Sequence, residues 1–332
     1  MMGNKHTYPN GSVSVTVVIP MRNSQTTLLD CLQSIAVQRY PIKEILVVDN
    51  VSVDSSREIV RAFAKKCTIP ITILRQTEDK GVAASYNRGI KDAKTPFVVL
   101  MTSDVSLPTS FELGRLVKPL LDDLKIGATY STSVLPQFVW DKYNFWEKYF
   151  AARMVENYSS LMVLKFDCVR RDAFLSVGGF DEDNFGGDNS IGGEDADLTN
   201  RLRHHWRIVR TDARCYHLHY KAEDYSLLQM MQSKKMYARS MGRFLRKDPL
   251  QDIKASIIFL VKPILAATGF IPGIGWILLL LFAFVYTPKM YVSSATLGDS
   301  RIVLIPILNI FFVYYESWWI AEGFFSYKSK RK

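Results

Sequence analysis

The run Ile45-Leu46-Val47-Val48-Asp49-Asn50-Val51-Ser52-Val53-Asp54-Ser55-Ser56 decides the fold. A short stretch rich in β-branched residues, Glu44 to Val48, stops at polar turn residues, and Asp54 or Ser55 then caps a helix predicted over Ser55 to Lys66. The same alternation extends both ways. Val13 to Ile19 reads as a strand followed by a helix from about Thr26 to Gln38; Ile69 to Leu74 and Phe97 to Met101 read as two further strands around a helix beginning near Val82. Strands alternating with helices imply βαβ units on a parallel sheet. The strands end in Pro20-Met21-Arg22-Asn23, Asp49-Asn50 and Thr102-Ser103-Asp104, and open α/β sheets bind ligands at such carboxyl ends. A nucleotide site built from these loops is expected.

Downstream, Gly192-Gly193-Glu194-Asp195-Ala196-Asp197-Leu198-Thr199-Asn200-Arg201-Leu202 places carboxylates in the first turn of an amphipathic helix whose Leu198 and Leu202 share a face. There the helix dipole favours an ionised, proton-accepting group. The preceding stretch from Phe180 to Gly193 is rich in Gly, Asp and Asn and reads as a loop suited to a lid.

The 332 residues suffice for one large α/β domain plus an appendage. The formal charge of +10 is concentrated between Lys234 and Lys254 and in the tail Lys328-Ser329-Lys330-Arg331-Lys332, beside the most apolar segments. That pattern points to an anionic membrane surface; nucleic acid is set aside, because no zinc-finger spacing or other nucleic-acid motif is present. Cys31, Cys67, Cys168 and Cys215 have no metal-ligand spacing, so free thiols in a reducing compartment are expected. The polar residues 1–12 lack a signal-peptide core, which places the soluble part in the cytoplasm.

Between Val134 and Tyr158 come Phe138, Trp140, Tyr143, Phe145, Trp146, Tyr149 and Phe150, either core or an acceptor-binding or membrane-contacting wall. Ile264 to Tyr286 is uncharged, though interrupted by Gly269, Pro272, Gly273 and Gly275, and Ile302 to Phe325 carries only Glu316 and Glu322. Two transmembrane helices, about 264–286 and 302–325, are therefore expected. Ala255 to Val261 would be an interfacial lead-in, broken off by Lys262-Pro263. Basic flanks put both ends in the cytoplasm and the intervening loop outside, making a multi-pass protein of the cell membrane. The predicted organisation is a tail 1–12, an α/β domain 13–222, a basic juxtamembrane segment 223–254, a membrane region 255–327 and a basic tail 328–332.

A series of motifs in order makes the stretch from Val13 to about Tyr220 resemble a family 2 glycosyltransferase of the GT-A fold, Rossmann-like with a mostly parallel sheet and flanking helices. Val17-Val18-Ile19-Pro20-Met21-Arg22-Asn23 is similar to the opening strand and loop, and the Ile45 to Ser56 run resembles "VDNGSTDGS", with Val51 where the family has Gly. Lys80-Gly81-Val82-Ala83-Ala84-Ser85-Tyr86-Asn87-Arg88-Gly89-Ile90 resembles "GxaxarNxGi". Leu100-Met101-Thr102-Ser103-Asp104-Val105 stands where the family carries Asp-x-Asp and resembles the "NPDV" variant of rhamnosyl-type members. Gly178-Gly179-Phe180-Asp181-Glu182 and Gly193 to Leu202 together resemble "GgFDE…EDxDLxxRl".

The resemblance implies an inverting transfer in which Asp195 is the general base, Glu194 orients the site and Asp197 caps or orders the helix. Pro20, Arg22, Asn23, Asp49, Gly81, Asn87, Ser103 and Asp104 would bind a UDP, GDP or dTDP sugar, with Asp49 on the base and Asn87 on the nucleotide or else fixing the contacts of its own helix. Asp104 would hold Mg2+ or Mn2+ against the diphosphate. Ala213-Arg214-Cys215-Tyr216-His217-Leu218-His219 looks like the family's "a.vyHlh" strand; His217, with His219 a second candidate, would bind diphosphate or complete the metal site, or else be structural. The acceptor implied by the anchor is a hydroxyl of a polyprenyl- or dolichyl-linked saccharide, in cell-surface glycan or N-glycan assembly. A polyprenyl-phosphate sugar synthase and a non-catalytic nucleotide-sugar-binding scaffold are the alternatives. A processive synthase would carry Gln-x-x-Arg-Trp, which this chain lacks.

Overall fold

The computed structural model describes residues 13–152, 162–185, 193–218, 225–247, 249, 253–296 and 298–327. Elements follow in the order β1 (Val15–Met21), α1 (Leu28–Ala36), β2 (Ile42–Asp49), α2 (Ser56–Ala64), β3 (Ile71–Arg75), α3 (Gly81–Asp92), β4 (Phe97–Met101), β5 (Val105–Ser106) and α4 (Glu112–Asp122). After them come β6 (Ile126–Val134), α5 (Gln137–Lys142), α6 (Phe145–Ala151), β7 (Phe166–Arg170), α7 (Arg171–Ser176), α8 (Glu182–Phe185), α9 (Glu194–Arg203) and β8 (Arg207–His217). The C-terminal region holds α10 (Leu227–Lys247), α11 (Ile253–Thr268), α12 (Ile274–Val285), α13 (Pro288–Thr296) and α14 (Ile305–Phe325).

One eight-stranded sheet runs in the order β3-β2-β1-β4-β7-β6-β8-β5. The first four strands are parallel, as the βαβ reading requires. β7 then lies antiparallel between β4 and β6, and β5 pairs antiparallel with β8. Strands buried on both faces read as continuous apolar runs because successive residues point to opposite layers. Val15, Val17 and Ile19 pack with Leu28, Leu32 and Leu116 on one side. Val18 and Val48 pack with Tyr86, Phe174, Leu198 and Leu202 on the other. This is a three-layer α/β domain of the GT-A type.

The aromatic segment is core. Trp140, Tyr143, Phe145 and Tyr149 cluster with Met230, Met290, Ile305 and Phe312, joining the α/β domain to the C-terminal helices; Phe138 alone of the segment's described aromatics is exposed. The apolar C-terminal region departs from expectation. The 264–286 stretch is no single span: α11 ends at Thr268, α12 begins at Ile274, and Gly273 between them sits at φ +82°. Lys262-Pro263 breaks nothing, since α11 runs through Pro263, sacrificing one hydrogen bond in a helix packed on α14. Among the described residues one helical stretch, Ser300–Phe325, is long and apolar enough to cross a bilayer by length and composition.

Val51 adopts φ +60°, so the turn after β2 keeps the left-handed geometry that glycine would supply. For a β-branched residue this is strained. Val51→Gly relieves that strain while loosening the unfolded chain, and is expected to stabilise the fold by about 0.5–1 kcal/mol, read as a higher denaturant midpoint. An unchanged or lower midpoint contradicts the strain assignment.

Candidate active site

Three strand ends and two helices converge on one acidic spot. Asp104 follows β4, and the pairing of Val105 with His217 across β5 and β8 delivers the imidazole to it. His217 Nε2 lies 2.8 Å from Asp104 Oδ2, and the Thr102 hydroxyl donates to Oδ1 at 2.6 Å. Lys165, just ahead of β7, places Nζ 3.2 Å from Oδ2 and 3.3 Å from Oδ1. All three charged or polar partners are half-buried.

Asp195 opens α9. The helix starts where it does because Gly193 takes φ +93°, with Phe185 packed so close that a Cβ there would collide with its ring. Burial pushes the Asp195 carboxyl above the usual carboxylate range, opposed by the N–H groups of Ala196, Asp195 itself and Gly193, and then by the Lys165 ammonium. Lys165 therefore acts electrostatically on both Asp104 and Asp195. Glu194 is buried beside it. Asp197 faces elsewhere, held by Arg201 and by Lys247 of α10, each at 2.6 Å, so it orders the helix. Tyr237 of α10 completes the surround: burial first, then the charges of Glu194, Asp195 and Asp104, push its hydroxyl pKa up.

A second group of predicted residues gathers at the ends of β1 and β2. Asp49 accepts from Ser52 N at 3.0 Å and faces Arg57. Arg22 pairs with Asp79, which also accepts from Asn50 Nδ2 at 2.5 Å and from Gly81 N at 3.0 Å. Asn23 ties the loops together, its Oδ1 accepting from Val53 N at 2.9 Å. Ser103 shares a 2.8 Å hydrogen bond with Ser24, and Pro20 sits in β1 opposite Val48. Asn87 fixes the contacts of its own helix. Its oxygen accepts from Phe180 N at 2.8 Å and its nitrogen donates to Phe180 O at 3.0 Å and Glu182 at 2.6 Å. That amide braces α3 against the Gly178-Gly179-Phe180 turn, since its polar atoms are engaged there rather than among the strand tips. His219, the 186–192 loop and the basic tail lie outside the described residues.

Lys165, Asp79 and Tyr237 were not singled out by motif reading, and neither was Asp167. Asp167 is fully buried in β7, its Oδ2 accepting from Leu164 N at 2.8 Å and Val163 N at 3.1 Å. Burial raises its pKa to about 7, and the nearby Asp195 charge adds to the rise. A folded-state value above the unfolded one means stability is lost as pH rises through roughly 4 to 7. Asp167→Asn is accordingly expected to melt higher than the parent at pH 8 and to converge with it near pH 4; a constant difference across that range contradicts the assignment.

Among the described residues no group of three His, Cys, Asp or Glu side chains could hold a metal. Asp104 and His217 nevertheless offer two adjacent donors, an oxygen and an imidazole nitrogen. That set suits a divalent cation whose other ligands come from phosphate and water.

Residues 16–175 match the family described as glycosyl transferase family 2. The chain is 34% identical over 94 residues to a poly(ribitol-phosphate) beta-glucosyltransferase of Bacillus spizizenii, covering 28% of this chain and 15% of that protein. It is 30% identical over 122 residues to a dolichol-phosphate mannosyltransferase of Pyrococcus furiosus, covering 36% and 34%. The chain thus spans about a third or less of the length of these relatives. The solved mannosyltransferase PcManGT from Pyrobaculum calidifontis, in complex with GDP-Man and Mn2+, superposes with TM-score 0.61 at 19% identity, over 97% of this chain and 90% of its own. Residues 16–175, just under half of the chain, thus resemble a glycosyltransferase family 2 domain, and the fold is GT-A-like. The α9 helix and β8 lie beyond the matched residues.

Proposed function

We propose that this chain is an inverting glycosyltransferase that moves a sugar from a nucleotide-diphosphate donor to a hydroxyl of a lipid-linked saccharide at the cytoplasmic face of a membrane. The observation that carries the reading is Asp195, a carboxylate of raised basicity whose neighbour Lys165 also contacts Asp104. A base and a diphosphate-binding centre therefore share one cation.

In this reading the Asp49, Asn50 and Asp79 network receives the nucleoside, and Arg22 and Lys165 face the diphosphate. Asp104 and His217 would hold Mg2+ or Mn2+, which supplies positive charge to the departing diphosphate. Asp195 takes the acceptor hydroxyl proton, and the oxygen attacks the anomeric carbon as the carbon–diphosphate bond breaks, inverting the configuration. Tyr237 bounds the acceptor side. Holding a lipid-linked acceptor at the same surface raises its effective concentration.

The similarity to a dolichol-phosphate mannosyltransferase favours a second reading, in which the acceptor is a polyprenyl phosphate. Such a nucleophile is already ionised and needs no base. A panel of UDP-, GDP- and dTDP-sugars offered with either polyprenyl phosphate or a lipid-linked saccharide separates the two. Transfer to the saccharide with inverted anomeric configuration supports the first. Transfer to the phosphate alone selects the second, and tight donor binding without turnover on any acceptor would leave only a nucleotide-sugar-binding scaffold.

A further inference from the structure

The C-terminal helices lie along the catalytic unit rather than away from it, and this bears on how the chain meets a bilayer. α10 and α14 run side by side in the same direction: the Tyr315 hydroxyl donates to Met231 O, Lys234 pairs with Glu316 at 3.1 Å, and Arg239 Nη2 reaches Glu322 at 2.9 Å. The backbones touch where Gly242 and Gly323 cross, and a Cβ at either would strike the opposing main chain. α10 is itself fastened to the catalytic helices, with Arg243 donating to Asn184 O at 2.6 Å and Lys247 bridging Asp181 and Asp197. The other end of α14 is fastened too, Asn309 accepting from the Tyr149 hydroxyl of α6 at 2.6 Å.

At 21 residues α14 is about 31 Å long, close to the thickness of a hydrocarbon core. Crossing that core would carry along the helix it lies on, with Lys234, Lys235, Arg239, Arg243, Arg246 and Lys247. Buried charges of that number oppose it strongly. What α14 offers instead is a single outward stripe at helical spacing, Ile307, Phe311, Tyr314, Trp318 and Phe325, with Trp318 70% and Phe325 84% exposed. α11 and α12 extend this surface. Lys262 of α11 pairs with Glu316, and Asn309 donates to Ala283 O of α12, so both helices pack against α14. Ile257, Val261 and Ile264 of α11 and Ile277, Leu281 and Phe284 of α12 are exposed. At 16 and 12 residues, neither reaches the length a span needs. Cations border the stripe, Lys235 over Trp319 and Arg246 over Phe324, where anionic headgroups would meet them.

We infer that α11, α12 and α14 form an in-plane anchor that enters one leaflet of an anionic bilayer, with no segment crossing it. The inference rests on the membrane-located reading above and replaces its two spans. It places the residues between α13 and α14 on the same side as the catalytic domain, whereas a two-span chain puts them outside.

The full chain, expressed in a bacterial host, tests this with a membrane-impermeant maleimide. Native Cys67, half-exposed on the catalytic domain, marks one side, and Ser300→Cys, at an exposed position, marks the other candidate side. Val303→Cys is a second probe, at a position 68% exposed. The expected result is a protein in the membrane fraction whose positions 67 and 300 are both silent in intact spheroplasts and both labelled in inside-out vesicles. Labelling of position 300 in intact spheroplasts overturns the inference, as does a protein found only in the supernatant. Trp318→Glu with Phe325→Glu should lower the membrane-bound fraction by about tenfold or more while leaving donor hydrolysis unchanged. Retention in the membrane would again overturn it. Loss of transfer with this topology intact counts against the catalytic reading alone.

Discussion

Asp195→Asn is expected to lower sugar transfer by about two to four powers of ten while leaving donor affinity nearly unchanged. The substitution keeps the volume of the side chain and an oxygen able to accept the Ala196 N–H, which the carboxylate does at 2.7 Å. What it removes is the capacity to take a proton. Because burial holds the Asp195 carboxyl above its ordinary range, the base is lost at a higher pH than an exposed aspartate would be. Transfer by the parent chain should therefore fall as pH drops through a value above the usual carboxylate range. The residual activity of the Asn variant should lack that limb. Measuring kcat/KM against pH, with donor binding followed separately, checks both statements. Turnover near the parent's would take Asp195 out of the mechanism, and a matching loss of donor affinity would make it a binding residue.

The parts of this arrangement that could be read before any coordinates are those encoded locally. Val17 to Ile19, Ile45 to Val48 and Phe97 to Met101 are apolar without interruption because both faces of each strand are covered, and each stops at the polar residues that form the strand tips. Asp104 and Asp195 sit at a strand end and a helix start, positions that sequence pattern marks. Lys165 carries no such mark. It reaches Asp104 only because β7 inserts antiparallel between β4 and β6, a pairing decided by long-range register. Tyr237 likewise depends on where α10 docks, and which of the two roles open to Asn87 is realised depends on partners more than 90 residues downstream. In the C-terminal region, hydropathy identifies apolar length but not how the helices pack on one another. The ion pairs that lay α14 along a basic helix join residues about 83 positions apart and leave no periodic signature.

Lys165→Ala is the variant that best separates the two halves of the site. Its ammonium contacts both oxygens of Asp104 and lowers the pKa of Asp195, so its loss acts on leaving-group charge and on the base at once. Transfer should fall by about two powers of ten, the scale of removing one charge-stabilising donor. The acid limb of the pH profile should simultaneously move to higher pH, because burial of Asp195 is then less offset. Asp104→Ala should produce a comparable fall in transfer without an upward shift of that limb, since Lys165 then has only Asp195 to stabilise. Donor binding by the Asp104 variant should weaken chiefly when divalent metal is present. EDTA distinguishes the cations: if it leaves parent activity unchanged, Lys165 and Arg22 carry the diphosphate charge and the Asp104–His217 pair has no metal role. If it abolishes activity and Mn2+ restores it in the parent but not in Asp104→Ala, the pair holds the ion. A Lys165 variant with an unmoved acid limb would show that the ammonium serves the diphosphate alone.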